Sequence, residues 1–115
     1  MAMTPSKTRQ EWIAWHDAKC AKRGESCFAE SDCQEMFDSD NGLLQYTIEK
    51  NVFIMREVIG NLSFWEPRAN WKARVEGCDM LASFYKTDNP KPLERLYKAK
   101  ALPHMGGYLF VRKVT

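Results

Sequence analysis

The stretch Leu43-Leu44-Gln45-Tyr46-Thr47-Ile48-Glu49-Lys50-Asn51-Val52-Phe53-Ile54-Met55-Arg56-Glu57-Val58-Ile59-Gly60-Asn61-Leu62 can be read in two ways. Leu44, Ile48, Val52, Met55, Ile59 and Leu62 recur at helical spacing. That predicts a helix over about 43–59, stopped near Gly60-Asn61. Against it, Thr47, Ile48, Val52, Ile54, Val58 and Ile59 are β-branched, which predicts a hairpin over the same residues. The apolar spacing favours the helix.

The flanking sequence extends that reading. Thr8 and Glu11 form a capping box, and Arg23-Gly24 is a natural stop, so a helix is expected over 9–23. Ser31 with Gln34 predicts a short helix over about 32–38, followed by the turn Asp38-Ser39-Asp40-Asn41-Gly42. Pro67 interrupts any helix through Phe64-Trp65-Glu66. Asn70 would then cap a further helix with Trp71, Val75, Cys78, Leu81 and Phe84-Tyr85 on its apolar side and Gly77 in its middle. Asp88-Asn89-Pro90 is a break, Pro92 opens a basic helix over about 92–101, and Tyr108–Val114 reads as a strand.

The expected fold is therefore mainly α: a compact single domain, 1–115, of four to five helices with a C-terminal strand or extended tail, residues 1–7 being flexible. The hairpin reading gives the alternative, an α+β domain with a small antiparallel sheet from 43–64 and 108–114. At 115 residues and 44% hydrophobic content, the chain is long enough to bury a core without disulfides. Its apolar runs, such as Val52–Met55, are too short to span a bilayer. MAMTPSKTRQ has no apolar signal-peptide core, so a cytoplasmic protein with free thiols at Cys20, Cys27, Cys33 and Cys78 is expected.

Charge is uneven along the chain, although the net value is only +2. Glu25 to Asp40 carries six acids and no base, whereas Lys86 to Thr115 carries seven bases against Asp88 and Glu94. Opposed surface fields steer association, so the polarity points to a partner. The acidic run predicts a contact surface for a protein with a basic site: Glu30, Asp32, Glu35 and Asp38 supply charge, and Met36 and Phe37 apolar contact. Four Trp is a high content for this length. Trp12, Trp15 and Trp71 are expected in the core, and Trp65 as an exposed anchor.

Other constellations are weaker. A basic C-terminal face of Lys91, Arg95, Lys98, Lys100, Arg112 and Lys113, interleaved with Tyr97, Tyr108 and Phe110, would suit nucleic acid. His16, Cys20, Cys27 and Cys33 form a legitimate zinc set without the Cys-x-x-Cys knuckle that usually presents two thiolates. Asp38-x-Asp40-Asn41-Gly42 fails as a calcium loop, because Phe37 and Ile48 fall where carboxylates are required. No nucleophile elbow or phosphate-cradling glycine loop is present, so no enzyme and no cofactor are expected.

The sequence thus predicts a small non-enzymatic regulator or inhibitor, of the kind phages and mobile elements encode as accessory proteins. It would act by occluding a basic site on a partner protein. The alternatives are a nucleic-acid-binding module and a zinc-stabilised domain. A homodimer formed through the C-terminal strand is compatible with each, and no membrane association is expected.

Overall fold

The structure, a computed structural model, describes residues 6–115. Helix α1 (Arg9–Arg23) is as the sequence predicts, with Thr8 and Glu11 in a reciprocal capping box and Gly24 in the left-handed conformation after its last turn. Strands dominate the rest of the chain. In order come β1 (Gln34–Asp38), β2 (Gly42–Glu49), β3 (Val52–Gly60), α2 (Leu62–Val75), β4 (Met80–Tyr85), α3 (Lys91–Tyr97), β5 (Ala101–His104) and β6 (Gly107–Lys113). They build one mixed sheet in the order β1-β2-β3-β4-β6-β5. The expectation of a mainly α fold is overturned, and the architecture is α+β. The alternative reading placed 43–64 and 108–114 in one sheet, but β4 lies between those segments.

The deciding stretch is the hairpin β2–β3. Glu49 faces Val52 across a two-residue turn, with Lys50 at a φ of 56°. The helical spacing was misleading because both faces of β2 are covered: Leu43, Leu44, Gln45 and Tyr46 are all buried. A strand buried on both sides loses its two-residue alternation, and its apolar run then mimics other periods. The short helix expected over 32–38 is strand β1, paired with β2.

The helix expected from Asn70 is displaced towards the N-terminus. Helix α2 starts at Leu62, contains Pro67, and ends before Gly77, whose φ of 76° makes it a terminator instead of an interior residue. Trp65, Ala69 and Ala73 recur every four residues and are almost fully buried against the sheet. This burial, together with polar anchors on Trp65 and Glu66, offsets the hydrogen bond that Pro67 cannot make. It also reverses two tryptophan expectations. Trp65, the expected exposed anchor, is 1% exposed, and Trp71, the expected core residue, is 44% exposed because it lies off that line.

Helix α3 is shorter than expected. Lys98 adopts a φ of 55°, and the Ala99 amide returns to the Glu94 carbonyl, closing the helix. Strand β6 pairs with β4 on one side and, over Gly107–Phe110, with β5 on the other, so it lies inside the sheet instead of forming a tail. The sheet edges are β1 and β5. Helices α2 and α3 cover one face through Trp65, Ala69, Ala73 and Tyr97 on Phe53, Leu81 and Phe110. Helix α1 covers the other face through Trp12 on Leu43 and Ile59.

The two layers meet at the β1–β2 turn. The Trp12 indole donates to the Ser39 carbonyl from one face, and the Trp65 indole donates to the Asn41 carbonyl from the other, each at 2.9 Å. Gly42 and Gly60 face each other beside this turn, both at positive φ, and a Cβ on either would collide with the opposing backbone carbonyl. The five residues Met1–Pro5 of the segment expected to be flexible lie outside the described residues. At Lys7 the backbone amide donates to Ser39.

Candidate active site

Strands β3 and β4 form the parallel pair of the sheet, and they pair over four positions only, from Val52↔Met80 to Met55↔Ser83. Beyond that point they part. A cleft of about 400 Å³ opens there, with Met55–Val58 on one wall, Ser83–Lys86 on the other, and α1 across it through Trp15, His16, Lys19 and Cys20. The crevice beyond the carboxyl ends of diverging parallel strands is the usual ligand position in α/β sheets. Backbone groups on the strand edges facing the gap have lost their partner strand, which suits an extended ligand with amides of its own.

A bulge prepares the β3 wall. Gln45 faces Glu57 while the next residue, Tyr46, faces Met55, which leaves Arg56 as the extra residue. The bulge reverses the alternation of β3. Phe53 and Met55 face the α2 side, whereas Ile59 packs with Trp12 on the α1 side. Glu57, two residues before Ile59, is turned towards α1 by the same device.

Among the described residues, Glu57 has no arginine or lysine partner. His16 Nε2 lies 3.4 Å from its Oε1. Burial raises the pKa of this carboxyl; His16 opposes the shift and Asp17 adds to it. The imidazole is held in turn, with Nδ1 3.4 Å from Asp17 Oδ1 and Nε2 also 3.4 Å from Cys20 Sγ. Asp17 is fixed by accepting the Phe28 amide at 2.8 Å. Burial pushes the Cys20 thiol up, and Glu25, Asp17 and Glu57 reinforce the effect, so the sulfur is a poor nucleophile at neutral pH.

On the other side of the divergence, Tyr97 reaches the cleft from the end of α3. It is 3% exposed, and its hydroxyl accepts a hydrogen bond from Ser83 Oγ at 3.3 Å. Burial pushes this phenol up to about 12, with the Ser83 bond working against the shift. Tyr85 on β4 is raised by burial as well.

The two ends of the cleft differ in charge. The end below β3 is lined by Lys19, Arg23, Arg56 and Lys86 against Glu25 and Glu57. A second arm shares His16, Cys20, Glu25, Glu57 and Lys86 with the first, so the contrast lies in Lys19, Arg23 and Arg56 on the first and Asp88 on the second. The basic arm suits an anion and the acidic arm a cation.

Of the residues singled out from sequence, His16, Cys20 and Tyr97 line the cleft, and the acidic contact set falls elsewhere. Glu30 and Glu35 both accept from the Arg9 guanidinium, at 2.7 Å each, and so fasten the 25–38 segment to α1. This arginine holds the Glu35 carboxyl below its usual range. Asp38 closes the β1–β2 turn on Asp40 and Asn41, Met36 packs on the core, and Trp65 is buried. Asp32 and Phe37 are exposed. The set is therefore not a continuous free acidic face.

Of the basic residues, Arg112 is inside, paired with Glu66 and hydrogen-bonded to Asn70. Lys91 and Arg95 lie on α3, Lys98 and Lys100 follow it, and Lys113 ends β6. His16 and Cys20 meet, but Cys27 and Cys33 do not complete a zinc set. No cluster of three or more potential ligands that could hold a metal occurs among the described residues. No described helix is long and apolar enough to cross a membrane.

Sequence reasoning missed Glu57, Tyr97 and Ser83 as a site. The available signal was Arg56-Glu57, two charges inside an apolar strand, since a charge out of pattern asks for a reason.

No protein-family model matches the chain, and no curated protein matches it significantly. Among solved structures, it is similar to a protein from Agrobacterium tumefaciens that is provisionally assigned as an acetyltransferase. The TM-score is 0.52 at 13% identity, over 98% of each chain. At this identity the likeness concerns the fold. The shared fold corrects the expectation of a non-enzymatic regulator or inhibitor acting by occlusion. Two of the acids that carried that expectation, Glu30 and Glu35, are bound to Arg9, and the fold is shared with a protein placed among enzymes.

Proposed function

We propose that this chain is an acyltransferase that moves an acyl group from a thioester, such as acetyl-CoA, to an amine. The observation that carries the reading is Glu57. It is a half-buried carboxyl without a cationic side chain of Lys or Arg beside it among the described residues. Its proton affinity is raised by burial, and a bulge aims it into a cleft between parting parallel strands. A carboxyl shifted towards neutral pH is suited to general-base work. The fold likeness supports the choice of group transferred.

The residues present fit a phosphorylated thioester. The basic arm of the cleft supplies Lys19, Arg23, Arg56 and Lys86. The acidic arm, with Glu25, Glu57 and Asp88, suits a cationic amine.

In this reading Glu57 takes a proton from the acceptor ammonium, and the nitrogen lone pair attacks the thioester carbonyl carbon. A carbon–nitrogen bond forms, the carbon–sulfur bond breaks, and the sulfur leaves with its electron pair. Tyr97, whose hydroxyl is kept protonated by burial, gives its proton to the departing sulfur and recovers one from the attacking nitrogen. The products are an amide and a thiol, with one proton left on Glu57.

The test is calorimetric titration with acetyl-CoA, followed by chromatographic measurement of free coenzyme A released in the presence of polyamines, lysine and lysine-containing peptides. Saturable binding with amine-dependent release is the expected result. No binding at millimolar acetyl-CoA, and no release with any amine, overturns the reading.

A further inference from the structure

General-base catalysis leaves a question of proton disposal. Once an acyl donor fills one arm of the cleft and an amine the other, Glu57 is shut off from bulk water, and the proton it has taken needs a route out. The geometry points to His16 as that route. It acts as a positioning residue that receives the proton from Glu57 and passes it to solvent along the α1 side. This inference rests on the acyltransferase reading.

Three observations carry it. First, His16 Nε2 is 3.4 Å from Glu57 Oε1, a separation that a small side-chain motion shortens to a hydrogen bond. Second, Asp17 Oδ1 stands 3.4 Å from Nδ1 and is itself anchored by the Phe28 amide. An acid at Nδ1 favours the tautomer with the proton on that nitrogen, which leaves Nε2 to accept one from protonated Glu57. Third, His16 lines both arms of the cleft, and the second arm opens past Glu25, Cys27 and Asp88 to the surface.

Cys20 shares Nε2 with Glu57, and its thiol, held protonated by burial and by the surrounding acids, donates only a weak S–H hydrogen bond there, which the Glu57 proton displaces. The proton balance is simple. Glu57 gains one proton from the ammonium and gives it to Nε2. The imidazolium then loses one to water and the neutral ring is restored before the next turnover.

The experiment is chemical rescue. His16→Ala should lower kcat about a hundredfold, the low end for a proton-transfer group, while KM for acetyl-CoA stays within about twofold of wild type. Added imidazole should restore at least half of the lost rate with saturable concentration dependence. His16→Gln, which fills the site without accepting a proton, should stay slow and unrescued.

A His16→Ala enzyme at full kcat, or one whose loss imidazole does not restore, overturns the role of His16 and leaves the acyltransferase reading standing. A wild-type chain that neither binds acetyl-CoA nor releases coenzyme A removes that reading, and this inference with it.

Discussion

Glu57 and Glu66 are nine residues apart, the first half-buried and the second almost fully buried, and treated in opposite ways. Glu66 projects from α2 onto Arg112 of β6, with Asn70 holding the same guanidinium and the C-terminal Thr115. Its charge is matched and its geometry closed. Glu57 projects from β3 into a cleft and meets an imidazole at 3.4 Å. A buried carboxylate with a guanidinium is a joint between elements. One left without such a partner has its pKa raised and becomes available for proton transfer.

The comparison can be broken most directly at Glu57. Glu57→Gln should reduce acyl transfer by about a thousandfold, within the range for removing a general base, while acetyl-CoA binding by calorimetry changes little. The same substitution should raise Tm at pH 7.5. Because burial raises this carboxyl's pKa, the folded chain holds its proton more tightly than the unfolded chain. The resulting stabilisation is full below the unfolded value near 4.5 and is lost as pH rises through the folded one. The advantage of the glutamine variant should therefore appear at neutral pH and shrink on acidification.

At the paired acid the effect should fall on stability. Arg112→Met strands Glu66 in the interior and should cost about 3 kcal/mol in urea unfolding, as loss of one partner of a buried pair does. Arg112→Met with Glu66→Leu should recover most of that. A single variant costing under about 1 kcal/mol would mean that the pair is not what joins α2 to β6.

Tyr97→Phe sharpens the picture of the cleft. It should lower kcat about a hundredfold through the lost proton donor, with Kd for acetyl-CoA nearly unchanged. In wild type, absorbance titration should find one tyrosine still protonated well above pH 10, as a phenol pushed up to about 12 requires.

The smallest effect should be at the partly exposed strap. Arg9→Ala should cost about 1 kcal/mol at neutral pH. Glu35 is held below its ordinary pKa by Arg9, so this contribution is present above the unfolded value of 4.5 and is lost as pH falls through the folded one. Urea unfolding at pH 7 and at pH 3 should show the cost of the substitution shrinking at the lower pH.

These contrasts also mark how far the sequence could be read. Helix α1 was legible to the residue, because a capping box and a terminal glycine are local signals that need no other part of the chain. The hairpin β2–β3 was present only as the weaker of two readings. The β-branched residues argued for it, but a strand covered on both faces hides its period. Helix α2 was misplaced because Pro67 is a strong local argument against a helix. It was outweighed by Trp65, Ala69 and Ala73 settling on a sheet whose strands come from distant parts of the chain.

The same division holds for the site and for the molecule. The sequence alone determined where helix α1 starts and stops, that the chain carries enough apolar residues to bury a core, and that Glu25–Asp40 is acidic. Tertiary structure decided what those acids do: two of them bind Arg9, which lies more than twenty residues away in the chain. It also decided the candidate site, which gathers His16 from α1, Glu57 from β3, Ser83 from β4 and Tyr97 from α3. The physical reason is that a shifted carboxyl depends on desolvation and on neighbours that are absent in sequence, and parallel strands pair or part according to the helices packed between and across them. Local propensity is written residue by residue, whereas burial and proton affinity exist only once the layers have closed.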